Sequence, residues 1–251
     1  MQIFAIKTPL IKPKDDLVTV LLEALQKESL ELENRDVLAI SSKAVASADG
    51  RLIELKTISP SRRALELARK HFLEPEFAEL VRREADHVYG GVEKAILTLK
   101  NDVLTVNAGV DHKNAPAGFV SVWPSNPQRR AEQIRKEIWK RTGKDVGILI
   151  IDSAVAPLRL GTRGMAIGVA GFKPMKDCRG QKDLFKKPLL ITRHAVADDL
   201  ASAAHLVMGE ADEETPAALI REAPVTFAER VRSEEMIIEP EECVYMKSFL
   251  R

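Results

Sequence analysis

The chain has 251 residues, with 38 Lys and Arg against 37 Asp and Glu, and 45% of its residues are hydrophobic. A chain of this length buries about 70–75% of its unfolded surface, which is enough for a substantial core. The balanced charge argues against a protein that binds nucleic acid or acidic membranes, because both functions favour a basic excess.

The apolar stretches are far shorter than the roughly 20 residues that span a bilayer, so we expect no membrane partner. Cys178 and Cys243 are far apart in the sequence and form neither a metal motif nor a disulfide framework. A reducing, cytoplasmic location is the natural expectation for such a chain.

Hydrophobic periodicity predicts a mixture of strands and helices in the first half of the chain. In chain order we predict an edge strand at Gln2–Ile6, an amphipathic helix at 15–28, a strand at 36–41, helices at 59–71 and 75–85, and a hairpin of strands 95–99 and 103–106. The helix at 59–71 is predicted to begin with Ser59 as N-cap and Pro60 at the first helical position.

The second half starts with a helix from Ser125-Asn126-Pro127 to Gly143, whose glycine is typical of a helix end. The unbroken apolar run 146–151 predicts a strand buried on both faces. We then predict a strand at 165–171, a helix at 195–208 and a strand from Met236 onward.

The order of these elements lacks a regular βαβ rhythm, so we predict an α+β fold with a mixed sheet and two lobes. The change of composition near Pro124 places the lobes at residues 1–124 and 125–251, with the nucleotide- and metal-binding segments in the first. The sequence contains neither a G-x-x-x-x-G-K-[ST] motif nor a G-x-G-x-x-G motif after a strand, which argues against P-loop and Rossmann folds.

Three acidic residues lie where predicted elements end: Asp111 after a strand, Asp152 at the end of the buried strand, and Glu210 after a helix. Such ends line the crevices where α/β proteins bind ligands. Hard divalent ions take carboxylate and hydroxyl oxygens, so these side chains are candidate metal ligands. The alternative is that Asp111 and Asp152 cap turns and that Glu210 faces solvent.

A glycine-interrupted strand, 164–171, is followed by Lys173 and Lys176. Glycine within a strand marks a bulge or a close approach of backbone, and the lysines could meet anionic groups. The alternative is a tight sheet corner with two solvated lysines. The five histidines show no ligand spacing, so we interpret each as a surface or core residue.

Several segments occur in a characteristic order along the chain: Pro9-Leu10-Ile11, Val106-Asn107-Ala108-Gly109-Val110-Asp111 with Asn114, Ile150-Ile151-Asp152-Ser153, Ala166-Ile167-Gly168, Met175-Lys176-Asp177, Gly180, Lys182-Asp183-Leu184, Val196-Ala197-Asp198 and Leu206-Val207-Met208-Gly209-Glu210. Together they resemble the family of γ-glutamyl ligases that add glutamate to the deazaflavin coenzyme F420-0 with GTP. The resemblance covers nearly the whole chain, and its specificity lies in the collinear order of the segments.

The resemblance implies that GTP phosphorylates a carboxylate of the acceptor and that the amine of L-glutamate attacks the acyl phosphate to form a γ-linked amide. It implies Mn²⁺ or Mg²⁺ on the phosphates, with K⁺ as a further candidate cofactor, and a homodimer with the active crevice near the subunit interface. The implied metal ligands are Asp111, Asp152, Ser153 and Glu210, and the implied nucleotide contacts are Pro9, Leu10, Ile11, Ser42, Lys43, Asn114, Met208 and Gly209. We interpret Asp152 and Lys176 as candidate catalytic residues, since Lys176 could add charge near the acceptor.

The sequence departs from the family pattern at several places. Ser153 replaces the usual Thr, Ala154-Val155-Ala156 replaces Asn-Gly-Arg, Ser47 replaces a Lys, and the loop after Glu210 is acidic rather than glycine-rich. Three hypotheses follow: ligation of glutamate to F420-0, the same chemistry on a reduced folate, or a degenerate homologue that binds nucleotide or metal without catalysis.

Overall fold

The computed structural model describes residues 1–249, and within this range helices and strands alternate irregularly. The helices are α1 Leu17–Lys27, α2 Ser42–Ala48, α3 Arg62–His71, α4 Pro75–Glu84, α5 Pro127–Thr142, α6 Val196–Met208 and α7 Val244–Phe249. The strands are β1 Gln2–Ile6, β2 Val37–Ser41, β3 Leu52–Glu54, β4 His87–Val92, β5 Ala95–Lys100, β6 Val103–Val106, β7 Phe119–Ser121, β8 Gly147–Val155, β9 Thr162–Ala170, β10 Lys176–Asp177, β11 Arg193–His194 and β12 Ala217–Arg221.

The largest sheet has five strands in the order β1-β12-β2-β8-β9. Strands β2 and β8 are parallel, and their neighbours pair antiparallel. This mixed sheet confirms the predicted α+β class, and β1 lies at the edge as its sequence indicates. The sheet takes β1 and β2 from the first predicted lobe and β8, β9 and β12 from the second, and the lobe boundary at residue 124 stays a prediction.

Strand β8 is buried on both faces, as its unbroken apolar sequence predicts. Ile148 and Ile150 pack on the side of α1 and α5, whereas Leu149 and Ile151 pack on the side of α6. This alternation follows from the two-residue period of a strand, and it requires apolar residues at every position. The helices therefore cover both faces of the sheet and leave its ends for a site.

A second, smaller core lies beside the large sheet. The three-stranded sheet β4-β5-β6 and helix α4 share a cluster that includes Phe77, Val81 and Ile96. Strands β3 and β7 pair nearby and contribute Val120 to the same cluster. This region holds the segment that leads to Asp111.

Two predicted features are wrong in detail, and one helix was not predicted. Ser61, not Ser59, caps α3 by accepting a hydrogen bond from the backbone N–H of Ala64, so Pro60 precedes the cap instead of following it. The predicted strand after Met236 is absent from the described residues, where a short 3₁₀ helix ends at Met236 and α7 follows. Helix α2 was not predicted, although Ser41 is a good N-cap whose Oγ accepts from the N–H of Ala44.

Candidate active site

A cleft opens where the parallel pairing of β2 with β8 ends. Ser42 and Lys43 directly follow β2, and Asp152 and Ser153 of β8 come one and two positions beyond the last pair of the two strands, Ser41 with Ile151. Ligand sites of open sheets form at this edge because the chain leaves the sheet there. The topology thus brings together two segments that are over 100 residues apart.

The carboxylate of Asp152 is largely buried and has donors on both oxygens. Ser42 Oγ donates to Oδ1 at 3.0 Å, and Trp123 Nε1 donates to Oδ2 at 2.5 Å. Lys43 Nζ lies 4.0 Å from Oδ1. These donors fix the orientation of the carboxylate and offset the cost of burying it.

Asp111 follows a turn with an unusual backbone. Asn107, Ala108 and Gly109 all have positive φ, at 52°, 52° and 68°. Such a conformation is unfavourable for Ala108, and its N–H is held by the buried Thr98 Oγ1 at 2.8 Å. At Gly109 a Cβ atom would lie 2.3 Å from Trp123 Nε1, so glycine is required for the indole to reach Asp152.

Lys43 connects the two aspartates. Its Nζ lies 3.0 Å from Asp111 Oδ2 and 4.0 Å from Asp152 Oδ1. Burial opposes the charge of Lys43, but the two neighbouring carboxylates raise its pKa above its ordinary value. The position between the aspartates is therefore one where a positive charge is stable.

Glu210 forms a second charged cluster in the cleft. It accepts hydrogen bonds from Lys113 Nζ at 2.5 Å and Thr162 Oγ1 at 2.6 Å. His205 Nε2 lies 2.8 Å from Glu210 Oε1 and 3.4 Å from Ser153 Oγ. Burial raises the pKa of Glu210, but these hydrogen bonds outweigh burial and lower it to about 2.

The acidic loop after Glu210 is ordered by one of its own side chains. The carboxylate of Glu213 accepts the backbone N–H groups of Ala211 at 2.7 Å and Glu210 at 3.4 Å. Its hydrogen bonds to backbone N–H groups keep the pKa of Glu213 below its ordinary value. This loop is acidic where the family has glycines. One of its carboxylates, that of Glu213, is therefore partly compensated by backbone N–H groups of the loop itself.

The cleft consists of two chambers. The large chamber has a volume of about 770 Å³, and the small chamber has about 220 Å³. The lining of both chambers includes Ser42, Lys43, Lys113, Asp152 and Ser153. We call these five residues the shared wall.

The sequence-predicted site residues fall into this arrangement with one exception. All the predicted nucleotide contacts line the large chamber, namely Pro9, Leu10, Ile11, Ser42, Lys43, Asn114, Met208 and Gly209. Of the predicted metal ligands, Asp152 and Ser153 belong to the shared wall, Asp111 lines the small chamber and Glu210 the large one. Lys176 is exposed on β10 and lines neither chamber. Their individual roles stay predictions.

Four residues at the site were missed by sequence reasoning. Trp123, Lys113 and Thr162 were not singled out, and His205 was interpreted as a surface or core histidine. Trp123 comes 29 residues before its partner Asp152, and the sequence carries no signal of that contact. His205 lies in the last turn of α6, five residues before Glu210, and that spacing was the available signal.

The oxygen donors of the cleft match the chemistry of Mg²⁺ and Mn²⁺, since they are carboxylates and hydroxyls. Lys43 already places one positive charge between Asp111 and Asp152, which shows that the position suits a cation. Within residues 1–249, no group of three or more His, Cys, Asp or Glu side chains is arranged to hold a metal ion by itself. A divalent ion there would need the hydroxyl of Ser153 or ligand phosphates to complete its coordination.

No helix in the described part of the chain is both long and apolar enough to cross a membrane.

Comparison with known proteins shows the family to which the chain belongs. Residues 5–222 match the family described as F420-0:Gamma-glutamyl ligase. The chain is 42% identical to the coenzyme F420:L-glutamate ligase of Methanopyrus kandleri, over 84% of this chain and 82% of that protein. It is 41% identical to the ligase of the same name from Methanocaldococcus jannaschii, over 78% of this chain and 79% of that protein. It is 37% identical to the one from Methanococcus maripaludis, over 98% and 97% of the two chains.

Proposed function

Because this chain belongs to the F420-0:gamma-glutamyl ligase family, we propose that it is a cytoplasmic enzyme that uses GTP to join L-glutamate to coenzyme F420-0. The observation that carries the proposal is the shared wall, where Lys43, Asp152 and Ser153 face both chambers. An amide ligase must activate a carboxylate and then present it to an amine at one point. Two chambers that share a wall of charged side chains satisfy this requirement.

In the first step, a carboxylate oxygen of the acceptor attacks the γ-phosphorus of GTP. The new O–P bond forms as the bond to the β-phosphate oxygen breaks, and the products are an acyl phosphate and GDP. Catalysis of phosphoryl transfer depends mainly on positioning the reactants and neutralising the charge of the phosphates. Lys43 and Lys113 are placed to neutralise phosphate charge. A divalent ion bound between phosphate oxygens and some of the predicted ligands Asp111, Asp152, Ser153 and Glu210 would supply further neutralisation of the phosphates.

In the second step, the neutral amine of L-glutamate attacks the carbonyl carbon of the acyl phosphate. The C–N bond forms, the C–O bond to phosphate breaks, and inorganic phosphate leaves while the nitrogen releases its proton. The residues of the shared wall hold the two reactants in contact. Such proximity lowers the activation free energy of a reaction between two bound molecules by a large amount.

A reduced folate is the second candidate acceptor. The observation that favours it is the sequence Ala154-Val155-Ala156 after Ser153, where this chain lacks the guanidinium and amide expected from the family, and Val155 of this segment lines the small chamber. Both acceptors carry a carboxylate on a polar tail attached to a fused heteroaromatic ring. The degenerate alternative is disfavoured because Asp152 and Glu210 retain hydrogen-bond donors that orient them in the cleft.

We also propose that the protein is a homodimer. Two loops, one between β8 and β9 and one between β10 and β11, expose large apolar side chains to solvent, namely Leu158, Leu160, Leu184, Phe185, Leu190 and Ile191. Exposed apolar side chains in such number are typical of an interaction surface. Helix α6 does not take this role with its small residues, because Ala201 and Ala204 are buried within the same subunit.

The proposal is tested by incubating the purified protein with GTP, L-glutamate and Mn²⁺ or Mg²⁺, with and without K⁺. F420-0 and a reduced folate are supplied in parallel, and the products are read by mass spectrometry. We expect a mass gain of one or more glutamate residues on F420-0. A gain on folate alone would identify folate as the acceptor, and no gain on either, with nucleotide still bound, would support a degenerate homologue.

A further inference from the structure

We propose that His205 is a positioning residue for the predicted metal ligand Glu210. Together with Thr162 it holds the Oε1 atom of the carboxylate, so that Oε2 is the oxygen left to bind a divalent ion, and Lys113 occupies the place of that ion until it binds. The inference rests on the proposed function, because that function places a divalent ion between the phosphates and the cleft. Three observations support it.

The first observation is a difference between the two oxygens of Glu210. Oε1 accepts a hydrogen bond from Thr162 Oγ1 at 2.6 Å and lies 2.8 Å from His205 Nε2. An ionised carboxylate only accepts hydrogen bonds, so His205 Nε2 carries the proton of this contact. Thr162 belongs to β9 and His205 to α6, so secondary structure fixes both donors on Oε1.

The donor on Oε2 is of another kind. Lys113 Nζ donates to this oxygen at 2.5 Å, from a side chain that is 42% exposed in the connection between β6 and β7. A lysine ammonium is a point charge on a flexible four-carbon stem, so it can move aside when a divalent ion binds the same oxygen. Lys113 lines both chambers, and its displaced ammonium therefore stays within the cleft as a partner for phosphate oxygens.

The second observation is that the same imidazole contacts another predicted ligand. His205 Nε2 lies 3.4 Å from the Oγ atom of Ser153, which belongs to β8. One side chain of α6 thus lies against the hydroxyl group on the strand and the carboxylate that follows the helix. Groups that hydrogen-bond to metal ligands orient them, and their loss lowers metal affinity by about 10–100-fold.

The third observation is the close packing that places His205. A Cβ atom at Gly164 would overlap the carbonyl oxygen of Ala201 and lie 2.9 Å from His205 Cβ, so α6 approaches β9 this closely only because a glycine faces it. Ser202 Oγ donates to the carbonyl oxygen of Gly164 at 3.0 Å and fixes the same approach. The helix is thereby held where His205 reaches Glu210.

A second histidine supplies a matched control. His194 Nε2 lies 2.5 Å from Asp199 Oδ2, and this pair has the same separation of five residues as His205 and Glu210. The side chains of His194 and Asp199 are 57% and 65% exposed and line neither chamber, whereas His205 is 16% exposed and lines the large one. The loss of a histidine–carboxylate pair can therefore be compared inside and outside the cleft.

The test is the affinity for Mn²⁺ at saturating GDP, measured from the electron paramagnetic resonance signal of free Mn²⁺. His205→Leu removes the donor, and we expect Mn²⁺ to bind about tenfold or more weakly than to the wild type. His205→Gln restores an N–H group close to the position of Nε2 and should recover most of the affinity, and His194→Leu should bind Mn²⁺ like the wild type. Equal losses in His205→Leu and His205→Gln, no loss in His205→Leu, or an equal loss in His194→Leu would overturn the proposal.

The variant Lys113→Met tests the assignment of Oε2. Because Lys113 competes with the divalent ion for this oxygen, its removal should strengthen Mn²⁺ binding several-fold under the same conditions. This change has the opposite sign to that of His205→Leu. Weaker Mn²⁺ binding by Lys113→Met would contradict the assignment.

Kinetic measurements separate this inference from the proposed function. If the wild type ligates glutamate to F420-0, His205→Leu should raise the Mn²⁺ concentration for the half-maximal rate about tenfold, with the KM for L-glutamate at saturating Mn²⁺ close to the wild-type value. If no ligation product is found, the proposed function fails, and the Mn²⁺ affinities of the variants still decide the role of His205. A wild type that binds no Mn²⁺ in the presence of GDP would rule out the inference itself.

Discussion

Two lysines in this molecule are buried beside carboxylates, and their surroundings differ in a way that separates a site from a structural support. Lys43 lies in the cleft between Asp111 and Asp152. Lys100 lies in the smaller core, where its Nζ donates to Glu84 Oε2 at 2.6 Å and to the carbonyl oxygen of Ala108 at 3.2 Å. The same residue type therefore faces two carboxylates in one place and one carboxylate in the other.

The difference is visible in their pKa values. Burial lowers the pKa of Lys100, although Glu84 opposes the shift, and the nearby Arg51 lowers it further. Burial also opposes the charge of Lys43, but two carboxylates outweigh it. Lys43 faces two carboxylates with a single positive charge, so its surroundings suit a further cation. In the other cluster Lys100 and Arg51 share the carboxylate of Glu84, so no negative charge is left over.

The largest effect expected from this comparison is on catalysis at Asp152. Asp152→Ala should remove several kcal/mol of transition-state stabilisation, on the order of 10³-fold in kcat or more, because the shared wall loses its central carboxylate. The variant should unfold at a denaturant concentration close to that of the wild type. Turnover near the wild-type rate, with an unchanged metal requirement, would remove Asp152 from the site.

The two lysines should respond in opposite ways when each is replaced by methionine. Lys100→Met should lower the free energy of unfolding by about 1.5–3 kcal/mol, because Glu84 and the buried carbonyl oxygen of Ala108 each lose the hydrogen bond from Lys100. Lys43→Met should change stability much less and should strongly reduce kcat, because it removes charge next to the phosphates. The free energy of unfolding is measured by urea denaturation and kcat by steady-state kinetics on both variants. The control is Lys140→Met, a substitution of an exposed lysine. Equal stability losses would show that the cleft lysine is also a structural residue.

Replacing Trp123 tests whether its hydrogen bond to Asp152 contributes to the reaction. Trp123→Phe removes the hydrogen bond to Asp152 Oδ2, and a hydrogen bond to a charged group contributes about 1.5–3 kcal/mol, so kcat should fall about 10–100-fold. The matched control is Trp139→Phe, since the chain has two tryptophans and Trp139 is exposed. A positioning role predicts a fall in kcat with little change in the KM for GTP. A loss of stability without a kinetic effect would assign Trp123 to the core alone.

The smallest expected effect concerns the acid stability of the cleft in metal-free buffer. The pKa of Glu210 is about 2 in the folded protein against an ordinary value of 4.5, so its contribution to stability is present above pH 4.5 and is lost as the pH falls toward 2. Glu210→Gln should therefore show a shallower loss of stability over this window than the wild type. Parallel curves for the two proteins would mean that Lys113, Thr162 and His205 do not favour the charged form of Glu210.

The elements with strong periodicity could be predicted from sequence, and the site could be predicted only in part. The helix that ends at Gly143 and the apolar strand β8 were recognised because their signals are local. Strand β12 and helix α2 were missed because Ala-rich segments carry little periodic contrast. The carboxylates Asp111, Asp152 and Glu210 were predicted at the ends of elements, and the structure brings them to one cleft. Asp152 lies within β8 and not at its end, because the strand continues to Val155 beyond its pairing with β2.

By itself, the sequence determined the α+β class, the strand buried on both faces and the membership of a ligase family, because local patterning and collinear motifs encode these properties. Tertiary structure alone decided that the cleft has two chambers, that Trp123 and Lys43 contact Asp152, and that Lys176 lies outside both chambers. The physical reason is sequence separation. A contact between Ser42 and Asp152 spans 110 residues, and only the parallel pairing of β2 with β8 makes it.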